Sequence, residues 1–244
     1  MEAKHAKRTF VLAHGSWHGG WCWSPVAERL RAQGHRVFAP SFTGMGDRAH
    51  LLSASITIDT FVEDLVQLLD AEDLHDVTLV GHSFGGVPVT GAADRVPQRI
   101  AQLVYFDAVV LESGRDSFSH YPREEAEARI AAARKATDGL AVPVPAPLPP
   151  VWGLKEGTPE YEWVLPQLTP HPLGSYTSAL TLHNPIGNGL PCTYIHCTGP
   201  SHPILESSRA LVRSSGSWNW VEIEAPHEAH ITHPDLLAQL LLKL

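Results

Sequence analysis

The sequence predicts an α/β fold: a mostly parallel sheet flanked by helices and interrupted by one long, mainly helical insertion. Three observations predict it. Short apolar runs alternate with helically spaced stretches up to about residue 111, the alternation breaks over residues 112–185, and it resumes from residue 186 to the end. Parallel strands need a crossover between them, usually a helix, so alternation of this kind builds a parallel sheet covered on both faces. The 244 residues, 43% hydrophobic and 18% charged, suffice for one large soluble domain.

The elements follow in order. TFVLAH (9–14) is a short apolar strand ended by Gly15, and PVAERLRAQ (25–33) has helical spacing stopped by Gly34. HRVFAP (35–40) is the next strand, followed by the glycine-rich loop SFTGMGDR. TIDTFVEDLVQLLDAE (57–72) places Ile58, Phe61, Leu65, Leu68 and Leu69 on one helical face. DVTLVGHS (76–83) is a buried strand, GGVPVTGAAD opens a helix, and IAQLVYFDAVV (100–110) is a further strand. The insertion carries the helical REEAEARIAAARKA, the proline-rich VPVPAPLPP (142–150), and Trp152, Tyr161 and Trp163. Its apolar content is too high for a disordered loop, and a cap over a pocket is expected. PCTYIHCT (191–198), a helix near LESSRALVRS, the strand SWNWVEIE (217–224) and the helix HPDLLAQLLLK complete the core.

A net charge of −8 argues against nucleic acid and anionic membrane as partners. The basic stretch KHAKR reads as a solvated terminus, and no apolar run of membrane-spanning length or signal-peptide pattern occurs. The odd cysteine set Cys22, Cys192 and Cys197 has no framework spacing, and the last two fall on opposite faces of one strand. A reducing, cytoplasmic location is the expectation. The sequence does not decide between a monomer and a homodimer.

GHSFG (81–85) matches the pattern of a strained strand-to-helix turn that lifts a serine hydroxyl clear of a sheet. Chance gives roughly 0.1 such matches in a chain of this composition, so context carries the argument. The strand DVTLV precedes it and a helix follows. Ser83 is therefore the expected nucleophile. Such a serine needs two backbone N–H groups for the developing oxyanion. Phe84 follows the nucleophile, and Ser16 is the best candidate in the glycine-rich loop HGSWHGG after the first strand. His14 and His18 of that loop are read as structural. EAPHEAHITHP (224–234) offers three bases, of which His227 comes first after the strand, His230 is the alternative, and His233 precedes Pro234 as a helix cap. HEAH does not have the H-E-x-x-H spacing of a zinc site.

FVLAHGSWHGGWCW, GHxVxAPxxTGxG, LVGHSFGG, LVYFDA and PHEAHITHP together resemble the α/β-hydrolase branch that contains plant methylesterases and hydroxynitrile lyases. The likeness is closer still to bacterial, pyrethroid-hydrolase-like carboxylesterases. It implies an α/β-hydrolase fold with a six-stranded sheet, a core of residues 1–111 and 186–244, and a cap of residues 112–185. It also implies hydrolysis of hydrophobic small-molecule esters through an acyl-enzyme, with no organic cofactor and no metal. Hydroxynitrile-lyase-like activity, lactone, amide or thioester cleavage, and a ligand-binding receptor-like protein with vestigial hydrolysis are the alternatives. Hydroxynitrile lyases of the group have Thr after the first-loop His and Lys after the base, where this chain has Gly15 and Glu228. The plant enzymes carry their acid in the turn after the strand matching CTYIHCT, where this chain has Gly199, Pro200, Ser201 and His202. Haloalkane dehalogenases of the same superfamily place it at the end of the strand matching LVYFDA, which makes Asp107 the expected acid. Glu206, a turn into the following helix, is the alternative, and a structural role for Asp107 is the bland one.

Overall fold

The computed structural model describes residues 7–244, so residues 4–6 of the KHAKR stretch lie outside the described residues. The strands are β1 (Thr9–Ala13), β2 (Arg36–Phe38), β3 (Val77–His82), β4 (Ile100–Phe106), β5 (Ala141–Val142), β6 (His171–Pro172), β7 (Cys192–Cys197) and β8 (Asn219–Ile223). Six of them form one sheet in the order β2-β1-β3-β4-β7-β8. Every neighbouring pair in it is parallel. β3 lies at its centre and is buried along its whole length, which requires cover on both faces.

The covering helices are α1 (Ser24–Ala32), α2 (Ile58–Ala71), α3 (Gly86–Arg95), α7 (Glu206–Ser215) and α9 (Pro234–Lys243). α1 packs on α9 and α2 packs on α3. A capping box between Thr57 and Thr60 starts α2. Its buried face is Ile58, Phe61, Val62, Leu65 and Leu69. Leu68, expected on that face, is only partly buried and packs at its margin.

Between β4 and β7 the chain forms α4 (Arg123–Thr137), α5 (Pro159–Val164), α6 (Leu173–Thr177) and the antiparallel ribbon β5–β6. Each ribbon strand is two residues long, too short to leave a period-two pattern in sequence. The short helix α8 (Ala229–Thr232) precedes α9. His233 takes the N-cap position of α9 without a side-chain cap bond; its ring meets the Thr232 hydroxyl instead. Among the described residues no helix is long and apolar enough to cross a membrane.

Candidate active site

A parallel sheet delivers the loops after its strands to one edge, and the residues singled out in sequence lie there. Ser83 follows β3, Asp107 follows β4, Ser16 lies beyond β1, and His227 lies beyond β8. Residues 83–85 make one tight turn before α3. Ser83 stands in it at φ +53°. Among the described residues, Trp17 (φ +63°) and Ser83 are the two with positive φ that are neither glycine, Asp nor Asn, and both line the same cavity. Strain of this kind gathers at functional sites. The turn closes only because its flanks are small. A Cβ on Gly81 would lie 2.7 Å from the Gly85 carbonyl oxygen, and one on Gly85 would lie 2.6 Å from the His14 carbonyl oxygen.

His227 Nδ1 donates to Asp107 Oδ2 at 2.7 Å, with both side chains buried. The Asp107 N–H donates to the Ile195 carbonyl at 2.7 Å, anchoring the residue at the edge of β7. Its other oxygen accepts from the Cys197 N–H at 3.4 Å and lies 3.7 Å from Nη1 of the buried Arg209. Glu206 is occupied elsewhere. It opens α7 instead of lying a turn inside it, and its carboxylate accepts from Arg209 Nε at 3.0 Å and Arg213 Nη2 at 2.5 Å. The acid-free turn after β7 supplies a ring instead: His202 packs edge-on against His227 with centroids 4.8 Å apart.

Electrostatics separates His227 from its neighbours. Burial holds His14 down at about 4 and His18 at about 3, and it also pushes His82, His171 and His230 down. Burial acts on His227 too, but the Asp107 hydrogen bond and charge outweigh it and raise the imidazole above its usual value. The first-loop histidines are tied to backbone. His14 Nδ1 donates to the Gly15 carbonyl at 2.8 Å while its Nε2 accepts from the Phe42 N–H at 3.1 Å, and His18 Nδ1 donates to the Ser16 carbonyl at 2.7 Å.

Ser83, His227, Ser16 and Phe84 all border one cavity of about 530 Å³. The Ser16 and Phe84 N–H groups donate to no carbonyl among the turn and loop hydrogen bonds of the described residues. No hydrogen bond joins Ser83 to His227 among the described residues, and such bonds often close only around a substrate. The insertion walls the cavity with Tyr121, Val151, Trp152 and Tyr176. Trp152 is buried against Trp17 and His18. Trp163, from the same segment, is 38% exposed and packs edge-on against Trp21 outside the cavity. The segment also holds residues 227–228: the His227 N–H donates to the Val151 carbonyl at 3.0 Å and the Glu228 N–H to the Trp152 carbonyl at 3.3 Å.

Two residues lining or backing the cavity, Arg209 and Tyr176, left no signal in the sequence, and Glu228 showed there only as a departure from the lyases. Arg209 is one cation in an ordinary amphipathic helix. Tyr176, whose hydroxyl lies 2.5 Å from Ser16 Oγ, comes from the insertion. Glu228 is buried, and desolvation holds its carboxyl up at about 7. Its unfolded value is near 4.5, so from about pH 4.5 to 7 the folded state binds more protons and stability falls as pH rises. Glu228→Gln should therefore exceed the parent in stability by about 1–3 kcal/mol at pH 8.5, with the gap closing towards pH 4.5. Thermal melts at the two pH values check this; an equal gap at both would refute the buried, proton-holding carboxyl.

Among the described residues His82, His227 and Glu228 bring possible ligand atoms within 4.8 Å of one another. Carbonyls only accept, so His82 Nε2 carries the proton it donates to the His227 carbonyl at 3.0 Å. With His227 Nδ1 committed to Asp107, a metal would have to take His227 Nε2, the nitrogen facing the cavity. Zinc should thus compete for His227 Nε2 and inhibit turnover, while EDTA should leave turnover unchanged; loss on chelation with recovery on zinc would reverse this reading.

The sequence pattern of the alpha/beta hydrolase family matches residues 10–240. A carbendazim hydrolyzing esterase of Nocardioides sp. (strain SG-4G) is 36% identical over 243 residues, covering 96% of this chain and 98% of that protein. Methylesterase 4 of Arabidopsis thaliana is 38% identical over 107 residues, 43% of this chain and 41% of its own. Among solved structures, an extracellular alpha/beta-hydrolase from a Paenibacillus species superposes with a TM-score of 0.82 at 25% identity, covering 97% of this chain and 98% of that one. Its description reports structural and functional homology to tobacco salicylic acid binding protein 2. Polyneuridine aldehyde esterase shares the fold at a TM-score of 0.73 and 22% identity, over 98% and 99% of the two chains.

Proposed function

The chain belongs to the alpha/beta hydrolase family, and from that premise we propose that it is a serine esterase acting on hydrophobic small-molecule carboxylic esters. The observation that carries the reading is the buried His227–Asp107 contact of 2.7 Å at the wall of the cavity that Ser83 also borders. His227 Nε2 takes the Ser83 proton as Oγ attacks the ester carbonyl. The Ser16 and Phe84 N–H groups receive the oxyanion. Collapse of the tetrahedral intermediate breaks the bond to the leaving oxygen, which takes the proton back from His227. Water, deprotonated by the same imidazole, then releases the acid from Ser83. Asp107 holds the tautomer and offsets the imidazolium charge, and Arg209 Nη1 lies 3.7 Å from its other oxygen.

Names of relatives support the ester-cleaving half of the proposal: a carbendazim hydrolyzing esterase and plant methylesterases. Tyr121, Trp152 and Tyr176 around the cavity support an apolar substrate, with residues 112–185 acting as the cap. Glu228 beside the base disfavours a lyase, since a buried carboxyl does not stabilise a departing anion. The three buried free thiols suit a reducing, cytoplasmic setting.

A fluorophosphonate probe tests the proposal. It should label Ser83 stoichiometrically and abolish turnover of phenyl acetate at the same rate. Turnover that persists after complete labelling, or labelling elsewhere, would sink it. A protein that neither labels nor turns over esters would be a binding protein on this fold.

A further inference from the structure

The cavity wall carries two polar side chains whose chemistry the ester mechanism does not use. His18 and Glu228 both line it, and both are buried. His18 Nδ1 is committed to the Ser16 carbonyl, so its Nε2 carries only a lone pair. That atom and Glu228 Oε2 lack a hydrogen-bond partner among the described residues, as do both ring nitrogens of His230, one of which carries the proton of the neutral ring. Glu228 Oε2 stands 3.7 Å from His18 Nε2 and 3.4 Å from His230 Nε2. These are not ion pairs, because burial keeps both imidazoles neutral. Buried acceptors left unmatched are costly, and His18 Nε2 and Glu228 Oε2 side by side call for a donor from outside the chain.

We propose that His18 and Glu228 form a donor-seeking subsite, so that preferred substrates are apolar esters carrying one N–H or O–H group on the limb that extends past His227. Two acceptors 3.7 Å apart in the wall of a pocket that also carries Tyr121, Trp152 and Tyr176 can hold one such group between them. A limb of the same shape without the donor leaves both acceptors desolvated and unpaired, and sites of this design discriminate strongly for that reason. The limb past His227 is the leaving one, because Glu228 follows His227 in the chain and His227 returns a proton to the leaving oxygen. A neutral donor suits the recess better than a cation, since the imidazoles around Glu228 offer a cation no second negative partner.

This deepens the esterase reading and rests on it, so the test keeps the two apart. Pairs of aryl acetates would be compared, each with a free phenol or anilide N–H on the leaving ring and its O-methyl or N-methyl counterpart. The parent protein should favour the donor-bearing member in kcat/KM by about tenfold or more. Glu228→Met should bring that ratio close to one. A general loss of folded enzyme scales both members and cancels in the ratio. If Glu228→Met does not fold, dissociation constants of the same pairs on Ser83→Ala, where the recess is intact, carry the test. A ratio near one in the parent enzyme and in Ser83→Ala overturns the subsite while leaving the esterase standing. So does an unchanged ratio in folded Glu228→Met. Absence of turnover on every ester, with no Ser83 labelling, overturns both.

Discussion

Replacing Ser83 with alanine should lower kcat for ester hydrolysis by about 10⁴–10⁶, and replacing His227 with alanine should cost about as much. Without Oγ there is nothing to acylate. Without the imidazole the hydroxyl keeps its proton at neutral pH and attacks poorly. The two act as one unit, so the double variant should be little worse than either single one, and residual catalysis would come from the oxyanion donors. Circular dichroism and melting should show folded protein, since Ser83 has no packing role that alanine cannot fill. His227 is the more exacting case, because its backbone and ring join the sheet edge to residue 151 and Asp107. His227→Gln would then serve as the folded control. If His230→Ala abolished activity while His227→Ala kept it, the base would be misassigned; His230, buried without a carboxylate hydrogen bond and held neutral, speaks against that.

Asp107→Asn should cost roughly 10²–10⁴ in kcat/KM. The amide keeps the size of the carboxylate but carries no charge, and its NH₂ end would favour the tautomer of His227 with the proton on Nε2. The pH profile separates this from a folding defect. A base works only when neutral, and Asp107 raises the His227 pKa, so the acid limb of kcat/KM should lie above pH 6.5 in the parent. Removing the charge removes the upward pull, and the limb should move to lower pH in Asp107→Asn. Glu206→Gln should stay within a few fold of the parent, as its partners are Arg209 and Arg213. A Glu206→Gln enzyme as impaired as Asp107→Asn would mean that Arg209 relays more to the site than charge.

How far the site was legible varies residue by residue. Ser83 was legible because a nucleophile turn is local: a strand, two obligatory small residues and a helix start, all within a dozen positions. His227 was legible through order along the chain, as the first histidine after the last strand. Asp107 was legible only as a residue at a strand end, picked out by the resemblance to haloalkane dehalogenases that carry their acid there. Its partner is 120 positions away, and no spacing rule links the two. Trp152 and Trp163 looked alike as aromatic residues of one insertion. Packing put the first in the cavity wall and left the second outside, because a side chain's direction depends on how its segment docks.

The sequence by itself determined the parallel sheet, the place of the insertion and the serine turn, because hydrophobic period, glycine placement and strand–helix alternation act over short distances. Tertiary structure alone decided which charges meet. It set Arg209 beside Asp107, drew Glu206 away to the arginines, and tied the backbone of residues 227–228 to residues 151–152. It also buried Glu228 against two neutral imidazoles. A residue's charge state and partners depend on desolvation and on neighbours far along the chain, and neither is fixed until the sheet edge is assembled and covered.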